Sequence, residues 1–130
     1  MTAAASAALP VADPAVLPRT VLIIEDEVLI SMVLEDMLDM LGHTVASTAA
    51  TFVEAEAAIA AGGFDLVIAD VNLGADPVFP LADQLLAAGV PLILATGSHP
   101  DSLPPRFAAV PVLEKPYAYG AVETALVQVS

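Results

Sequence analysis

Five polar residues stand directly after apolar runs of the chain, and their types suit phosphoryl chemistry. They are Glu25, Asp26, Asp70, Thr96 and Lys115. Carboxylates brought close together repel one another by about 4 kcal/mol per pair at an effective dielectric constant near 20, and a divalent cation relieves that repulsion. All-oxygen ligands without Cys or His favour Mg²⁺ or Mn²⁺. One carboxylate is then able to attack phosphorus, while the ammonium and the hydroxyl neutralise the phosphoryl oxygens.

The apolar runs that precede these residues predict the strands of a parallel sheet. TVLII, LVIA, LILA and VPVL are short and apolar throughout, which is typical of strands buried on both faces, and a weaker strand is predicted from Thr44 to Ser47. Helical periodicity, caps and glycine stops predict helices from Glu27 to Leu41, from Thr51 to the stop at Gly62, from Pro80 to the stop at Gly89, and from Ala118 to Val129.

Alternating strands and helices predict an α/β fold of the flavodoxin-like, doubly wound type. The sheet has five parallel strands in the order 2-1-3-4-5. Ligands of such sheets bind beyond the carboxyl ends of the strands, at the switch point between strands 1 and 3. The five polar residues are therefore predicted to converge at this end of the sheet.

The segment from Gly97 to Ala109 is predicted to lack the fourth helix that this alternation would place there. Three prolines within it remove amide donors and push the residues before them away from the helical region. We therefore predict a fourth helix that is short or absent, with at most one helical turn near Arg106. Leu103 and Phe107 are expected to tie the segment loosely to the sheet edge.

Four blocks of the sequence resemble the signature of the response-regulator receiver domain. They are VLIIEDE, DLVIADVNL, PLILATG and VLEKPY, and the resemblance covers about Thr20 to Val129. It implies that Thr96 is the switch hydroxyl and that Lys115 is the phosphate-binding lysine. Lys115 is the only lysine of the chain, which argues against a purely solvating role.

The same resemblance implies a phosphoacceptor and a magnesium site. Asp70 would be the phosphoacceptor, and Glu25 and Asp26 would form the acid pair. Asp26, Asp70 and the backbone carbonyl of Asn72 would bind Mg²⁺ directly, and Glu25 would act through water. The ordinary alternatives are that Asp70 is a turn residue and that the acid pair caps the first predicted helix, helix 1, which runs from Glu27 to Leu41.

A finer resemblance concerns the segment PLILATGSHPDSLPPRF. It is similar to alphaproteobacterial single-domain receivers named for a Phe-Ala-Thr-Gly-x-Tyr motif, although Leu94 replaces the Phe and Ser98-His99 stands where the aromatic should follow. Those proteins belong to phosphorelays of the general stress response. The resemblance implies a histidine kinase or histidine phosphotransferase as partner, with another regulator of a stress-response phosphorelay as a further partner.

Helix 1 has more apolar residues than its buried stripe requires. Val28, Leu29 and Met32 remain after the ladder that runs from Ile30 to Leu41 is assigned inward, whereas Ser31 falls on the polar side. These three residues either widen the buried stripe or form an exposed patch for a partner. The resemblance supports the second alternative, since receivers dock the histidine-bearing helical hairpin of a kinase or phosphotransferase there.

Composition excludes several classes of partner and site. The 130 residues carry a net charge of −13, with three basic residues against 16 acidic ones, so neither nucleic acid nor an anionic membrane has a basic patch to bind. No cysteine is present, and no apolar run reaches the roughly 18 residues that a membrane span needs. His43 and His99 lie in no pattern and are predicted to face solvent.

The domain prediction is a disordered N-terminal arm at 1–18 and a receiver domain at 19–130. The Ala- and Pro-rich arm lacks the basic region of a signal peptide, so we expect a cytoplasmic protein, and we expect a monomer. Because no output domain follows the last helix, the chain is expected to act by protein contact or onward phosphotransfer, and not as a turnover enzyme.

Two other functions use similar residues. A Mg²⁺-dependent phosphohydrolase with an aspartyl nucleophile would carry Asp-x-Asp after the first strand, whereas Asp70-Val71-Asn72 follows the third. A flavodoxin-like electron carrier would need a hydroxyl- and glycine-rich phosphate loop after the first strand, where Glu25-Asp26-Glu27 would repel phosphate.

Overall fold

The central sheet has the predicted topology. The computed structural model describes residues 17–97 and 103–129, and its five-stranded parallel sheet has the order β2-β1-β3-β4-β5. The strands are β1 (Thr20–Ile24), β2 (Thr44–Ala49), β3 (Leu66–Asp70), β4 (Leu92–Thr96) and β5 (Val112–Glu114). The helices are α1 (Val28–Met40), α2 (Phe52–Ala61), α3 (Phe79–Ala87) and α4 (Tyr119–Gln128).

Apolar side chains of the strands fill one core on each face of the sheet. Leu22 and Ile24 point into the core under α2 and α3, whereas Val21 and Ile23 point into the core under α1 and α4. This alternation follows from the two-residue period of a strand, and apolar residues at both phases explain why the runs are apolar throughout. The sheet is therefore held rigidly from both sides.

Local signals account for the bounds of α2. The Thr51 hydroxyl accepts a hydrogen bond from the Glu54 N–H at 3.1 Å, and the Glu54 carboxylate accepts one from the Ala50 N–H at 2.9 Å. The helix ends at Gly62, whose φ of 69° suits glycine. The predicted capping box is thus present, with one difference. The Glu54 carboxylate accepts from the N–H of Ala50, the residue before the N-cap Thr51, whereas in the usual box it accepts from the N-cap residue itself.

The described part of the segment between β4 and β5 forms a short helical turn at the predicted position. This 3₁₀ turn spans Pro105–Phe107, and residues 98–102 of the predicted loop lie outside the described residues. The expected loose attachment is wrong, because Phe107 is fully buried and its ring stacks on Phe79 with 5.3 Å between centroids. Arg106 adds an ion pair to Asp83, with 2.9 Å between Nε and Oδ1.

The buried face of α1 is narrower than predicted. Val33, expected inside, is exposed, and Ser31, expected outside, is buried and donates a hydrogen bond to the Val28 carbonyl at 2.8 Å. The first turns are apolar almost all round, so the 3.6-residue period alone does not fix which side faces the sheet. Leu29 and Met32 are 77% and 53% exposed, which favours the exposed patch over the wider buried stripe.

His43 does not face solvent as predicted. The side chain is buried at the turn between α1 and β2, where its Nδ1 accepts a hydrogen bond from the Arg19 N–H at 2.9 Å. An isolated histidine in the sequence carries no sign of such a long-range partner. His99 and residues 1–16 of the predicted arm lie outside the described residues.

A two-stranded ribbon follows β3 and was not predicted. Asn72–Leu73 pairs antiparallel with Asp76–Pro77 around Gly74, whose φ is 61°. Strands of two residues are too short to show a hydrophobic period.

Within the described part of the chain, no helix combines the length and the apolar character that a membrane span requires.

Candidate functional site

Lys115 meets two carboxylates at the carboxyl end of the sheet. Its Nζ lies 2.8 Å from Asp70 Oδ2 and 2.9 Å from Glu25 Oε1, and it lies 3.6 Å from Glu27 Oε1. These side chains extend from the ends of β5, β3 and β1, as the strand order requires. The predicted convergence of Glu25, Asp70 and Lys115 is present in the structure.

Backbone hydrogen bonds fix the position of each strand end. The Lys115 N–H donates to the Thr96 carbonyl at 2.9 Å, and the Val71 N–H donates to the Ala95 carbonyl at 2.9 Å. The Lys115–Pro116 peptide bond is cis. These bonds anchor the ends of β3 and β5 to β4, so Asp70 and Lys115 emerge at the same end of the sheet.

The acidic side chains are also held by amide donors. Asn72 N–H donates to Asp70 Oδ1 at 3.2 Å, and Glu27 N–H donates to Glu25 Oε2 at 3.1 Å. Gly74 N–H, at the tip of the ribbon, donates to Asp26 Oδ2 at 3.0 Å. The ribbon thus orients Asp26, which gives this unpredicted element a role in the site.

Burial opposes the ionised forms of Glu25 and Lys115, whereas their hydrogen bonds favour those forms. Burial raises the pKa of Glu25 to about 7, even though hydrogen bonds from Lys115 and from the Glu27 N–H favour the ionised carboxylate. Burial alone would lower the pKa of Lys115, but its hydrogen bonds to Asp70 and Glu25 outweigh burial and raise it. Lys115 is therefore a fixed positive charge at neutral pH.

An open cavity of about 540 Å³ gives solvent access to this cluster. Its wall includes Asp26, Asp70, Asn72 and Lys115, which the sequence analysis had selected. Among the described residues, Gly97 lines the cavity and Thr96 does not, since Thr96 is buried at the end of β4. Asp70 is therefore the predicted acceptor carboxylate that this cavity opens to solvent.

The donor set fits a hard divalent cation. One carboxylate oxygen from each of Glu25, Asp26, Glu27 and Asp70 lies within 4.8 Å of the others, and Lys115 contacts all of these residues except Asp26. Oxygen ligands at such spacing, in excess of the positive charge, suit Mg²⁺. Glu27 was not assigned to this site from the sequence, although the unbroken run of three acidic residues after β1 was the available signal.

A second group missed by the sequence analysis is Tyr117. Burial and the neighbouring Glu25 carboxylate raise its pKa, so the phenol stays neutral. Its ring lines a smaller cavity of about 170 Å³ together with Pro116, Leu29, Ile30 and Val33. This apolar cavity adjoins the acidic one, because Pro116 and Ile30 line both.

Comparisons with known proteins agree with this geometry. No family model and no curated protein sequence matches the chain. The chain is similar to the solution structure of SdrG from Sphingomonas melonis Fr1, at 42% identity and a TM-score of 0.78, over 86% of this chain and 96% of that one. It is also similar to the PhyR response regulator REC domain from Erythrobacter litoralis, at 37% identity and a TM-score of 0.71, over 86% and 89% of the two chains.

A longer response regulator matches over part of its length. The chain is 29% identical to PhyR from Brucella abortus with a TM-score of 0.76, and the match covers 88% of this chain but 48% of that one. This chain therefore spans about half of the PhyR chain. The similarity to SdrG, by contrast, extends over nearly the whole of both chains.

Proposed function

Because this chain belongs to the response-regulator receiver family, we propose that it is a stand-alone response regulator that accepts a phosphoryl group on Asp70. The donor is a histidine kinase or histidine phosphotransferase of a two-component phosphorelay. The observation that carries the proposal is the ion pair of 2.8 Å between Lys115 Nζ and Asp70 Oδ2, at the wall of an open cavity.

The transfer uses Asp70 as the nucleophile. A carboxylate oxygen of Asp70 forms a bond to phosphorus while the bond between phosphorus and the donor's imidazole nitrogen breaks, and the electron pair stays with the imidazole. Phosphoryl transfer asks the protein chiefly for alignment and charge neutralisation. Lys115 supplies one positive charge beside the acceptor, and the Asn72 N–H holds the acceptor carboxylate in place.

A magnesium ion completes the proposed site. Asp26, Asp70 and the carbonyl of Asn72 would hold it directly and Glu25 through water, with Glu27 near enough to join them. Bound there, Mg²⁺ would add to the positive charge that Lys115 supplies to the phosphoryl oxygens. The carboxylate oxygens within 4.8 Å of one another support this part of the proposal.

The output is contact with another protein or onward phosphotransfer, in a stress-response phosphorelay of the cytoplasm. Another PhyR structure bears the name stress response regulator, and the chain is 34% identical to it over 46% of that chain. We propose that the protein works as a monomeric switch without turnover, with Thr96 as the hydroxyl that responds to the phosphoryl group.

Labelling by a small phosphodonor tests the acceptor. Wild-type protein, Asp70→Asn and the control Asp76→Asn are incubated with Mg²⁺ and labelled acetyl phosphate. Asp76 lies on the exposed ribbon beside the site, and its substitution by Asn removes the same charge as Asp70→Asn does. We expect an acid-stable, base-labile label on the wild type and on Asp76→Asn, and none on Asp70→Asn. Undiminished label on Asp70→Asn would refute the assignment.

A further inference from the structure

Four large apolar side chains of α1 are exposed together. Val28, Leu29, Met32 and Val33, here called the α1 patch, are each between 45% and 77% exposed. Leu29, Met32 and Val33 are neighbours on the helix surface because residues three and four apart face the same way. Solvent-exposed apolar groups in one cluster mark an interaction surface more often than single exposed ones do.

The α1 patch is continuous with the phosphoacceptor cavity. Leu29 and Val33 line the small apolar cavity with Pro116, and Pro116 also lines the cavity that contains Asp70. A protein that delivers a phosphoryl group to Asp70 therefore covers the α1 patch as it does so. The inference below rests on that proposed function and concerns the charge of the partner.

The rim of the α1 patch is acidic. Asp36 follows Met32 by four residues and Val33 by three, so it lies directly beside both on the helix surface. Asp39 follows Asp36 by three residues, and both are exposed. Glu27, 61% exposed, precedes the patch at the helix start. The apolar surface is thus bordered by carboxylates at both of its ends along the helix.

No Lys or Arg side chain offsets the Asp36 and Asp39 end of this rim. The chain has three Lys and Arg residues in total, and the structure describes all of them. Arg19 donates to the carbonyls of Asp65 and Val129, and Arg106 is paired with Asp83. Lys115 is paired with Glu25 and Asp70 and lies 3.6 Å from Glu27 at the helix start. None of the three pairs with Asp36 or Asp39, which leaves the charge of that end of the rim uncompensated.

We infer that the phosphodonor meets the α1 patch with an apolar centre ringed by Lys and Arg side chains, and that donors with an acidic ring are excluded. Opposite charges at a rim speed encounter, and like charges suppress wrong partners. A second copy of this chain does not fit the surface, since two acidic rims and two net charges of −13 would face each other.

A matched pair of designed helical hairpins tests the inference. Both carry one exposed histidine inside the same apolar ring, and the ring is flanked by Lys in one hairpin and by Glu in the other. Binding to ¹⁵N-labelled protein is followed by amide shifts at low salt, near 0.01 M, and at about 0.15 M, where the Debye length falls from about 30 to about 8 Å. Sedimentation of the protein alone reports any self-association.

The sharpest variant reverses one rim charge. Asp36→Lys is compared with Glu56→Lys, which makes the same change on α2 at the opposite face of the sheet. We expect the Lys-flanked hairpin to bind wild type and Glu56→Lys, to shift amides of residues 28–33, and to weaken with salt. Asp36→Lys should weaken that binding about tenfold, the size of an exposed ion pair exchanged for repulsion, and should favour the Glu-flanked hairpin.

Three outcomes would overturn the inference. They are equal or tighter binding of the Glu-flanked hairpin to wild type, absence of binding by the Lys-flanked hairpin, and self-association through residues 28–33. Labelling of each variant by acetyl phosphate separates this failure from a failure of the proposed function. Label on Asp70 without the charge preference refutes the partner inference alone, whereas loss of label on the wild type refutes the phosphoacceptor itself.

Discussion

At the scale of single residues, Lys115 is the group on which the site depends most. Its side chain is 10% exposed, and its two close partners, Glu25 and Asp70, are 1% and 8% exposed. Buried carboxylates without a partner are costly, so Lys115 contributes to stability as well as to the proposed chemistry.

Removal of the Lys115 charge should destabilise the metal-free protein. Lys115→Met keeps much of the side chain's length but leaves Glu25 and Asp70 unpaired, and we expect the free energy of unfolding in EDTA to fall by about 3 kcal/mol. Excess MgCl₂ should restore part of that loss in urea unfolding, because a cation then neutralises the same carboxylates.

Arg106→Met is the control for this experiment, since the Arg106–Asp83 pair is exposed and remote from the carboxylate cluster. It should show a smaller loss that MgCl₂ does not restore. A Lys115→Met protein as stable in EDTA as the wild type would contradict the role given to this ion pair.

At the scale of elements, the 3₁₀ turn Pro105–Phe107 stands where a full helix would otherwise pack on the sheet. Phe107 is 1% exposed and belongs to the core shared with α2 and α3. Arg106 lies over the Phe107 ring, with its guanidinium carbon 4.7 Å from the centroid. Phe107 thus anchors the described part of this segment in the core.

Truncation of that aromatic should therefore be costly. We expect Phe107→Ala to lower the free energy of unfolding by about 3 to 5 kcal/mol, measured by urea denaturation, because it opens a cavity beside Phe79. Leu103→Ala, at a half-buried position of the same segment, serves as the control and should cost less. Equal losses for the two variants would show that Phe107 is not the anchor.

Most elements and the centre of the site were predictable because their signals are local. Five short β-rich runs, glycine stops and one threonine cap are visible in the sequence, and parallel strands bring Glu25, Asp70 and Lys115 together by topology. The orientation of α1 was not predictable, because apolar residues surround its first turns. The burial of Phe107 and His43 was not predictable either, since each depends on a residue distant in sequence.

At the scale of the whole molecule, one polar cluster ties the first strand to the last helix. Arg19 Nη2 donates to the Val129 carbonyl at 2.8 Å and Nη1 to the Asp65 carbonyl at 3.3 Å. The Arg19 N–H donates to His43 Nδ1, and the Asp65 carboxylate accepts from the Thr20 N–H at 2.9 Å. Four separate parts of the chain meet at this end of the sheet, opposite the acidic cavity.

This cluster should make stability fall in mild acid. Burial and the positive Arg19 lower the pKa of His43, against the opposing effect of Asp65, so the folded state favours the neutral ring. The unfolded chain therefore binds the proton more readily than the folded state does. His43 contributes stability that is fully present at pH values above 6.5, its pKa in the unfolded chain. This stability is lost as the pH falls through the lower pKa of the folded state. Protonation also removes the Nδ1 lone pair that accepts the Arg19 N–H.

His43→Asn tests this dependence, because the Asn oxygen can accept the same N–H without titrating. The drop in unfolding free energy between pH values of about 7 and about 5 should be smaller in His43→Asn than in the wild type. His99→Asn, which replaces the only other histidine of the chain, should retain the wild-type drop. A His43→Asn protein with an unchanged pH profile would refute the assignment.

The single, ion-paired lysine has a consequence for handling the protein. Acylating reagents attack neutral amines, and the ion pair with Asp70 and the raised pKa of Lys115 keep its amine protonated. An α-amino group, with a pKa of about 8, is reactive near neutral pH. A dye ester applied to the folded protein therefore attaches at the amino terminus and leaves the acidic cavity unmodified, which yields a singly tagged probe without any engineered cysteine.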